Sequence, residues 1–569
     1  MFNMKLNYFF LLFSGIIFAQ VDYPKDYFSS PLNIPIELSG CFGELRENHF
    51  HSGFDIKTQK REGLEVFAAA DGYISRIKIS TVGYGKAIYI THPNGYTTVY
   101  GHLQRANGII QKYITDYQYK EKAYEVEMFL KPNELIVKKG NLIAFSGNTG
   151  GSGGPHLHFE FRDTQTEKIL NPMLFGFNKY IKDSKKPTLN GLFAYPMDEK
   201  SIANENSFPI SLNLSLQSDG SYLAEKLKIF GNVGFGINAF DMFDDSYNKF
   251  GIYKAELFSN GKSIFGYQFD IMGFEELRYI NAFIDYGRYE TINQRVQKLF
   301  MKTSFPLSII KTGEKNGIVS MDKPNLNQIY RIEISDFEDN KTVVTIPVEF
   351  SSLPSKNSPK PFRTNYFVKC KSDFIYNKDN VEVFFPAGSF YEDFYMDCDA
   401  TKNGFNVYNE NIPVHSNYTI TIKDSLHTEV ELKQMFLAKI EGKKQSYVFT
   451  NRKGFVFTSK TKELGRFVLV KDSISPKISR LDSIGENLPF DKKSFQLRIS
   501  DDLSGIKEYN GFINGKWILL EYESKNKKLT YNFEDNVAIE GKNDLKVVVS
   551  DNVGNSTTFE STFIRNEKQ

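Results

Sequence analysis

The chain is poor in cysteine, tryptophan, histidine and net charge. Three cysteines in 569 residues, Cys41, Cys370 and Cys398, cannot build a disulfide scaffold. Cys370 and Cys398 could pair in an oxidising compartment, and Cys41 reads as a small buried hydrophobe. A formal charge of +2 offers no basic field to phosphates, which excludes a general nucleic-acid binder. Beyond the N-terminus no run approaches the ~20 apolar residues that a bilayer span requires, so no integral membrane segment is expected once the leader is cut. That leader, MFNMKLNYFFLLFSGIIFAQ, sets Lys5 ahead of an apolar run from Tyr8 to Phe18 and reads as a signal peptide over 1–19.

What is plentiful is aromatic. Fifty-one Phe and 32 Tyr bring the aromatic share to 15%, and flat side chains of this kind favour strands. Length alone suggests roughly three to five domains. Residues 20–185 form a Gly- and His-rich first unit. GLEVFAAADGYISRIKIS alternates, and KAIYITHPNGYTTVYGHL reads as a hairpin closed at Pro93-Asn94-Gly95. One helical insertion, about 106–130, interrupts it, with Ile110, Tyr113, Ile114 and Tyr117 on one face. It either packs on the sheet or walls a groove.

The rest of the chain repeats itself. Lys182-Asp183-Ser184 with Pro187 returns as Lys471-Asp472-Ser473 with Pro476, and Ser335-Asp336 returns as Ser550-Asp551. Alternating strands predict Ig-like β-sandwiches over 186–353 and 473–569, with a β-rich unit over 360–472 between them. The fold class is therefore mainly β: an antiparallel sheet domain with a helical insertion, then about three β-sandwich domains. The acidic edges DDLSG and SDNVGN read as turn chemistry, with calcium binding as the alternative.

The eight histidines are unevenly placed: His49, His51, His92, His102, His156 and His158 precede position 160, and only His415 and His427 follow. His51-Ser52-Gly53-Phe54-Asp55 can converge if Gly53 permits a bend, and imidazole with carboxylate suits zinc. In His156-Leu157-His158-Phe159-Glu160, strand alternation points both histidines and Glu160 one way. His102, closing the hairpin, is a candidate acid or base. Glu160 either orients a ligand imidazole or forms a salt bridge. His49 is read as a surface residue, and His92 as solvent-exposed. There is no HExxH, so a histidine would have to serve as the base.

HSGFD, AAADG, GYG, YGHL, SGNTG and GPHLHFE follow in order over residues 40–175. The set resembles the lysostaphin/LytM-type zinc peptidases, which cut peptide cross-links in peptidoglycan. The resemblance implies a compact antiparallel sheet crossed by a groove. It also implies Zn2+ held by His51, Asp55 and His158, with His102 and His156 as the catalytic histidines. Zinc would activate a water, and the two histidines would act as general base and oxyanion stabiliser. The implied function is an exported endopeptidase acting on peptidoglycan stem peptides, D,D-specific rather than glycyl-glycine. The alternative is a non-catalytic peptidoglycan-binding or amidase-activating envelope regulator. The expected location is the periplasm or cell envelope of a didermic bacterium, or the medium. Through its Ig-like tail the chain could meet an envelope protein or a carbohydrate.

Overall fold

The computed structural model describes residues 22–566 apart from 325–326, 353, 359, 361, 482–486 and 490, so the signal-peptide expectation lies outside the described residues. Among the described residues no helix is long and apolar enough to cross a membrane.

The first unit is organised by seven antiparallel strands. Their spatial order is Leu38–Gly40, Phe54–Lys57, His156–Asp163, Tyr96–Gly101, Lys86–Thr91, Gly72–Ile79 and Val126–Phe129. The hairpin forms where its turn residues place it, with Thr91 opposite Thr97. The expected alternation holds in the strand His156–Asp163. Leu157, Phe159 and Phe161 are fully buried on one face, and His156, His158 and Glu160 take the other. A second, three-stranded sheet of Glu65–Phe67, Leu142–Ser146 and Leu103–Ala106 lies beside it.

The insertion is shorter than the expected 106–130. Its helix runs over Gly108–Glu121 and stops at Lys122, which is left-handed (φ 51°). The chain then turns back as the strand Val126–Phe129, pairing with Arg76 to Ile79. The helix cannot continue because Val126 and Met128 alternate with exposed neighbours, a period-2 pattern suited to a sheet edge. Ile110 and Ile114 are buried, and Ile114 faces Ile77, Ile88 and Leu103 around a cavity of about 20 Å³.

One hydrophobic core runs from Phe28 through Val348, so the first unit and the next share an interior. The strand Ile169–Leu170 also pairs with Ile271–Met272 of the second unit. Strands between Thr188 and Phe350 join into one 13-stranded network, followed by two five-stranded sheets over 374–471 and then a four- and a five-stranded sheet in the last unit. The sequence repeat is a structural repeat. Thr342 Oγ1 donates to the Pro187 carbonyl at 2.6 Å, and Thr557 Oγ1 to that of Pro476 at 2.5 Å. Cys370 and Cys398 are buried free thiols, as is Cys41.

The last unit folds back onto the first. Lys86 pairs with Glu521 at 2.7 Å. The ring of Trp517 meets that of Tyr119 edge-on at 5.3 Å. Ser524 Oγ donates to the Thr81 carbonyl, and Lys525 Nζ donates to the carbonyls of Asn148 and Ser152 in the glycine-rich loop. A cleft of about 1600 Å³ lies between the two units.

Candidate metal centre

Register sets the site. In the strand His156–Asp163, His158 lies opposite Asp55 on one side and Gly101 on the other. Paired residues share a face, so Asp55 and His158 are neighbours by construction. His51 reaches them from the segment before Phe54–Lys57. There Gly53 is required, but not as a left-handed hinge: its φ is not positive. The segment lies so close to the neighbouring strand that a Cβ at Gly53 would sit 2.3 Å from the Phe159 carbonyl oxygen.

Three donor atoms converge. His51 Nε2 is 3.1 Å and His158 Nδ1 2.8 Å from Asp55 Oδ1, and the two nitrogens are 3.2 Å apart. All three side chains are buried, and together they could hold a metal ion. His156 Nε2 stands 3.3 Å from the same carboxylate oxygen, and the His102 ring is 4.7 Å from that of His156.

Each imidazole is anchored through its other nitrogen. His51 Nδ1 lies 2.8 Å from the Cys41 carbonyl, His102 Nδ1 2.8 Å from that of Thr149, and His156 Nδ1 2.8 Å from that of Gly154. A carbonyl can only accept, so each Nδ1 carries the proton and each Nε2 turns a lone pair inward. His158 is arranged the opposite way: Nε2–H donates to Glu160 Oε1 at 2.8 Å, which turns Nδ1 to Asp55. Ring nitrogens of His51, His156 and His158 therefore meet at one carboxylate oxygen, with the His102 ring beside them, an arrangement that suits a cation. Imidazole and carboxylate donors fit zinc.

With no cation bound, protons on the imidazoles take its place beside Asp55. Burial would raise Asp55, but the charge of His51 and hydrogen bonds from the surrounding imidazoles hold it well below the usual carboxylate range. Burial pulls His158 down, and its bonds to Asp55 and Glu160 outweigh that and lift it to about 9. Burial and the neighbouring His158 and His156 push His102 down to about 3, which keeps it neutral.

Glu160 bonds the His158 imidazole and pairs with Arg162. Fully buried, it accepts from His158, Ser52 and Tyr84 on one oxygen and from Arg162 on the other. Burial alone would raise it, and Arg162 and His158 hold it strongly ionised. Tyr84 stacks on His158 at 4.9 Å. His49 is exposed as expected. His92 is not: it is buried, its ring bonded to the Asp71 carbonyl and to Thr98 Oγ1 at 2.8 Å each, and burial pushes it down to about 4. The turn residues after His92 suggested exposure, but its ring packs inward beside Phe28.

Sequence reasoning missed Arg46, Ser52 and Tyr84. Arg46 Nη2 donates to Asp55 Oδ2 at 2.6 Å and to Glu44 at 3.0 Å, fixing the carboxylate whose other oxygen faces the imidazoles. Arg46→Ala is expected to weaken zinc affinity about 10- to 100-fold while the apoprotein stays folded. A competition titration against a chromogenic chelator measures this, and unchanged affinity would contradict the role given to Arg46.

Residues 49–115 match the model for peptidase family M23, and residues 365–472 match the Zu5-like domain. Three relatives align with about a quarter of the chain. An "uncharacterized metalloprotease" of Haemophilus influenzae is 34% identical over 145 residues, 26% of this chain and 24% of the relative. The DD-carboxypeptidase/endopeptidase Mpg of Neisseria meningitidis serogroup B is 35% identical over 147 residues, 26% and 25%. The peptidoglycan DD-endopeptidase ShyC of Vibrio cholerae is 33% identical over 145 residues, 24% and 27%. The chain thus spans about a quarter of the length of these relatives. Among solved structures, the catalytic domain of lysostaphin from Staphylococcus simulans is similar at 24% identity and a TM-score of 0.19, covering 25% of this chain and 91% of that domain.

Proposed function

We propose that the N-terminal domain, which belongs to the M23 peptidase family of lysostaphin/LytM type, makes this protein a zinc-dependent endopeptidase of peptidoglycan stem-peptide cross-links, D,D-specific. The observation that carries the reading is the convergence of His51, Asp55 and His158 on one point, with His156 and His102 beside them. The names of the aligned relatives supply the substrate class.

His51, Asp55 and His158 would hold the metal. When bound, zinc supplies a Lewis acid that polarises the scissile carbonyl and acidifies water. His102 and His156 stand beside that position with their Nε2 atoms unprotonated and their rings fixed by the Thr149 and Gly154 carbonyls. One takes the proton of the attacking water. As an imidazolium that ring can donate to the oxygen on which charge develops before its proton passes to the leaving amine nitrogen, and the two histidines share these roles. The loop that carries those two carbonyls is open at Gly153 and Gly154, where a Cβ would meet nothing within 4 Å. An extended peptide backbone can approach there.

Cross-links lie outside the cytoplasm, so this reading requires export, to the periplasm or cell envelope. We read the units over 186–353 and 473–569 as Ig-like sandwiches flanking the 360–472 unit. They carry the domain, and the last of them faces it across the cleft lined by Asn148, Thr149 and Lys525.

The test uses the full mature chain, because the first two units share a core. Incubation with purified sacculi, followed by mass spectrometry of the muropeptides, is expected to show cross-linked dimers converted to monomers in a zinc-dependent way. Stoichiometric zinc with no loss of dimers would instead favour a peptidoglycan-binding regulator.

A further inference from the structure

A second cluster of ionisable side chains lies outside the histidine site. Asp183 is in the linker that leaves the first unit, Asp241 follows the strand Leu227–Phe240, and Asp336 follows the strand Gln328–Ser335. One carboxylate oxygen from each lies within 4.8 Å of the others. Asp241 and Asp336 are each only 3% exposed. Among the described residues no lysine, arginine or histidine forms an ion pair with any of the three. The nearby Lys185 turns its ammonium to the Phe243 and Asp244 carbonyls instead.

The hydrogen bonds of the acidic cluster leave one buried oxygen open. Asp336 accepts from the Asn340 backbone and side chain, and Asp183 accepts from the Lys185 backbone. Asp241 Oδ1 is buried with no hydrogen-bond partner. An unpartnered buried carboxylate oxygen is costly unless something pairs with it. The sister cluster in the last unit makes the contrast. There Asp472 accepts from the backbone of Ile474 and Ser504, Asp501 from Leu503 and Gly505, and Asp551 from Val553 and Asn555. Those carboxylates are committed to turns, as the DDLSG and SDNVGN segments predict, and that cluster carries no inference.

We propose that Asp183, Asp241 and Asp336 bind a calcium ion, which fastens the linker leaving the peptidase domain to the first β-sandwich. An all-oxygen donor set with neither histidine nor cysteine selects a hard cation over zinc. Carboxylates brought together from a linker and two strand ends suit the irregular, flexible coordination of calcium better than the strict octahedron of magnesium. Without a cation, burial and mutual repulsion push Asp183 up to about 7 and Asp241 up to about 8. The ion would relieve that repulsion and let all three ionise. The proposal does not depend on the peptidase reading.

The experiment is isothermal titration of the zinc-loaded full chain with calcium chloride, paired with thermal unfolding. One calcium per chain is expected, with a dissociation constant of about 10⁻⁴ to 10⁻³ M and a higher melting temperature when bound. Asp241→Asn should weaken uptake at least tenfold. In calcium-free buffer its melting temperature should equal or exceed that of the unsubstituted protein, because the neutral amide removes repulsion. If Asp241→Asn melts much lower without calcium, Asp336→Asn replaces it in the same comparison. Absence of uptake, uptake unchanged by both substitutions, or uptake abolished only by Asp501→Asn would each overturn the proposal. So would an equal response to magnesium.

Discussion

His158→Ala is expected to lose bound zinc and cross-link cleavage together. Its Nδ1 lies 2.8 Å from Asp55 Oδ1 and 3.2 Å from His51 Nε2, so truncation leaves only two donors, fewer than the three protein ligands of a catalytic zinc site. The fold should survive. Glu160 loses the His158 N–H but keeps Ser52, Tyr84 and Arg162, so the cost in stability should stay near that of one buried hydrogen bond, about 1–3 kcal/mol. Three measurements separate site loss from misfolding. Zinc per chain, by elemental analysis, should fall from about one to near zero. The melting temperature of the unsubstituted protein should rise with zinc, because the metal binds only the folded site, whereas that of His158→Ala should not respond. Muropeptide dimers should persist at the level of untreated sacculi. Full zinc occupancy in His158→Ala would show that the ligand set is wrong.

Much of this site was legible because strands make sequence spacing into geometry. Alternation in HLHFEF put Leu157, Phe159 and Phe161 in the core and His156, His158 and Glu160 together, and the strand keeps that division. The hairpin followed from its turn residues alone. Arg46 was not legible, because its contact with Asp55 depends on a turn between two-residue strands at Leu45–Arg46 and His49–Phe50. His92 was misread for a related reason: a turn motif fixes the backbone but says nothing about which way the preceding ring packs. The shared core was also invisible. The boundary near 185 marks a change in composition, yet Ile169–Leu170 and Ile271–Met272 pair across it. Nothing in either dipeptide announces its partner about a hundred residues away. Gly53 shows a right residue with a wrong reason, since the bend it was expected to permit is a close approach to the Phe159 carbonyl.

His102→Ala should keep zinc and lose turnover, by about 10²- to 10⁴-fold, the usual contribution of a positioned acid or base. How His102 comes to face the site bears on a second measurement. Tyr100 lies opposite Phe159 in the core, and Gly101 lies opposite His158 on the site face. Continued alternation would return residue 102 to the core side. Instead the backbone turns left-handed at His102, with φ 58°, breaking the alternation and bringing its ring within 5.8 Å of His158. An L-residue pays for that conformation, and strain of this kind concentrates at functional sites. His102→Gly should therefore be as inactive as His102→Ala but more stable by about 1 kcal/mol, because glycine adopts positive φ without a steric penalty. Both variants lose the same ring and the same bond to the Thr149 carbonyl, so the difference between them reports the backbone alone. Equal melting temperatures would show that the left-handed turn carries no strain. Loss of zinc from either variant would place His102 among the ligands rather than beside them.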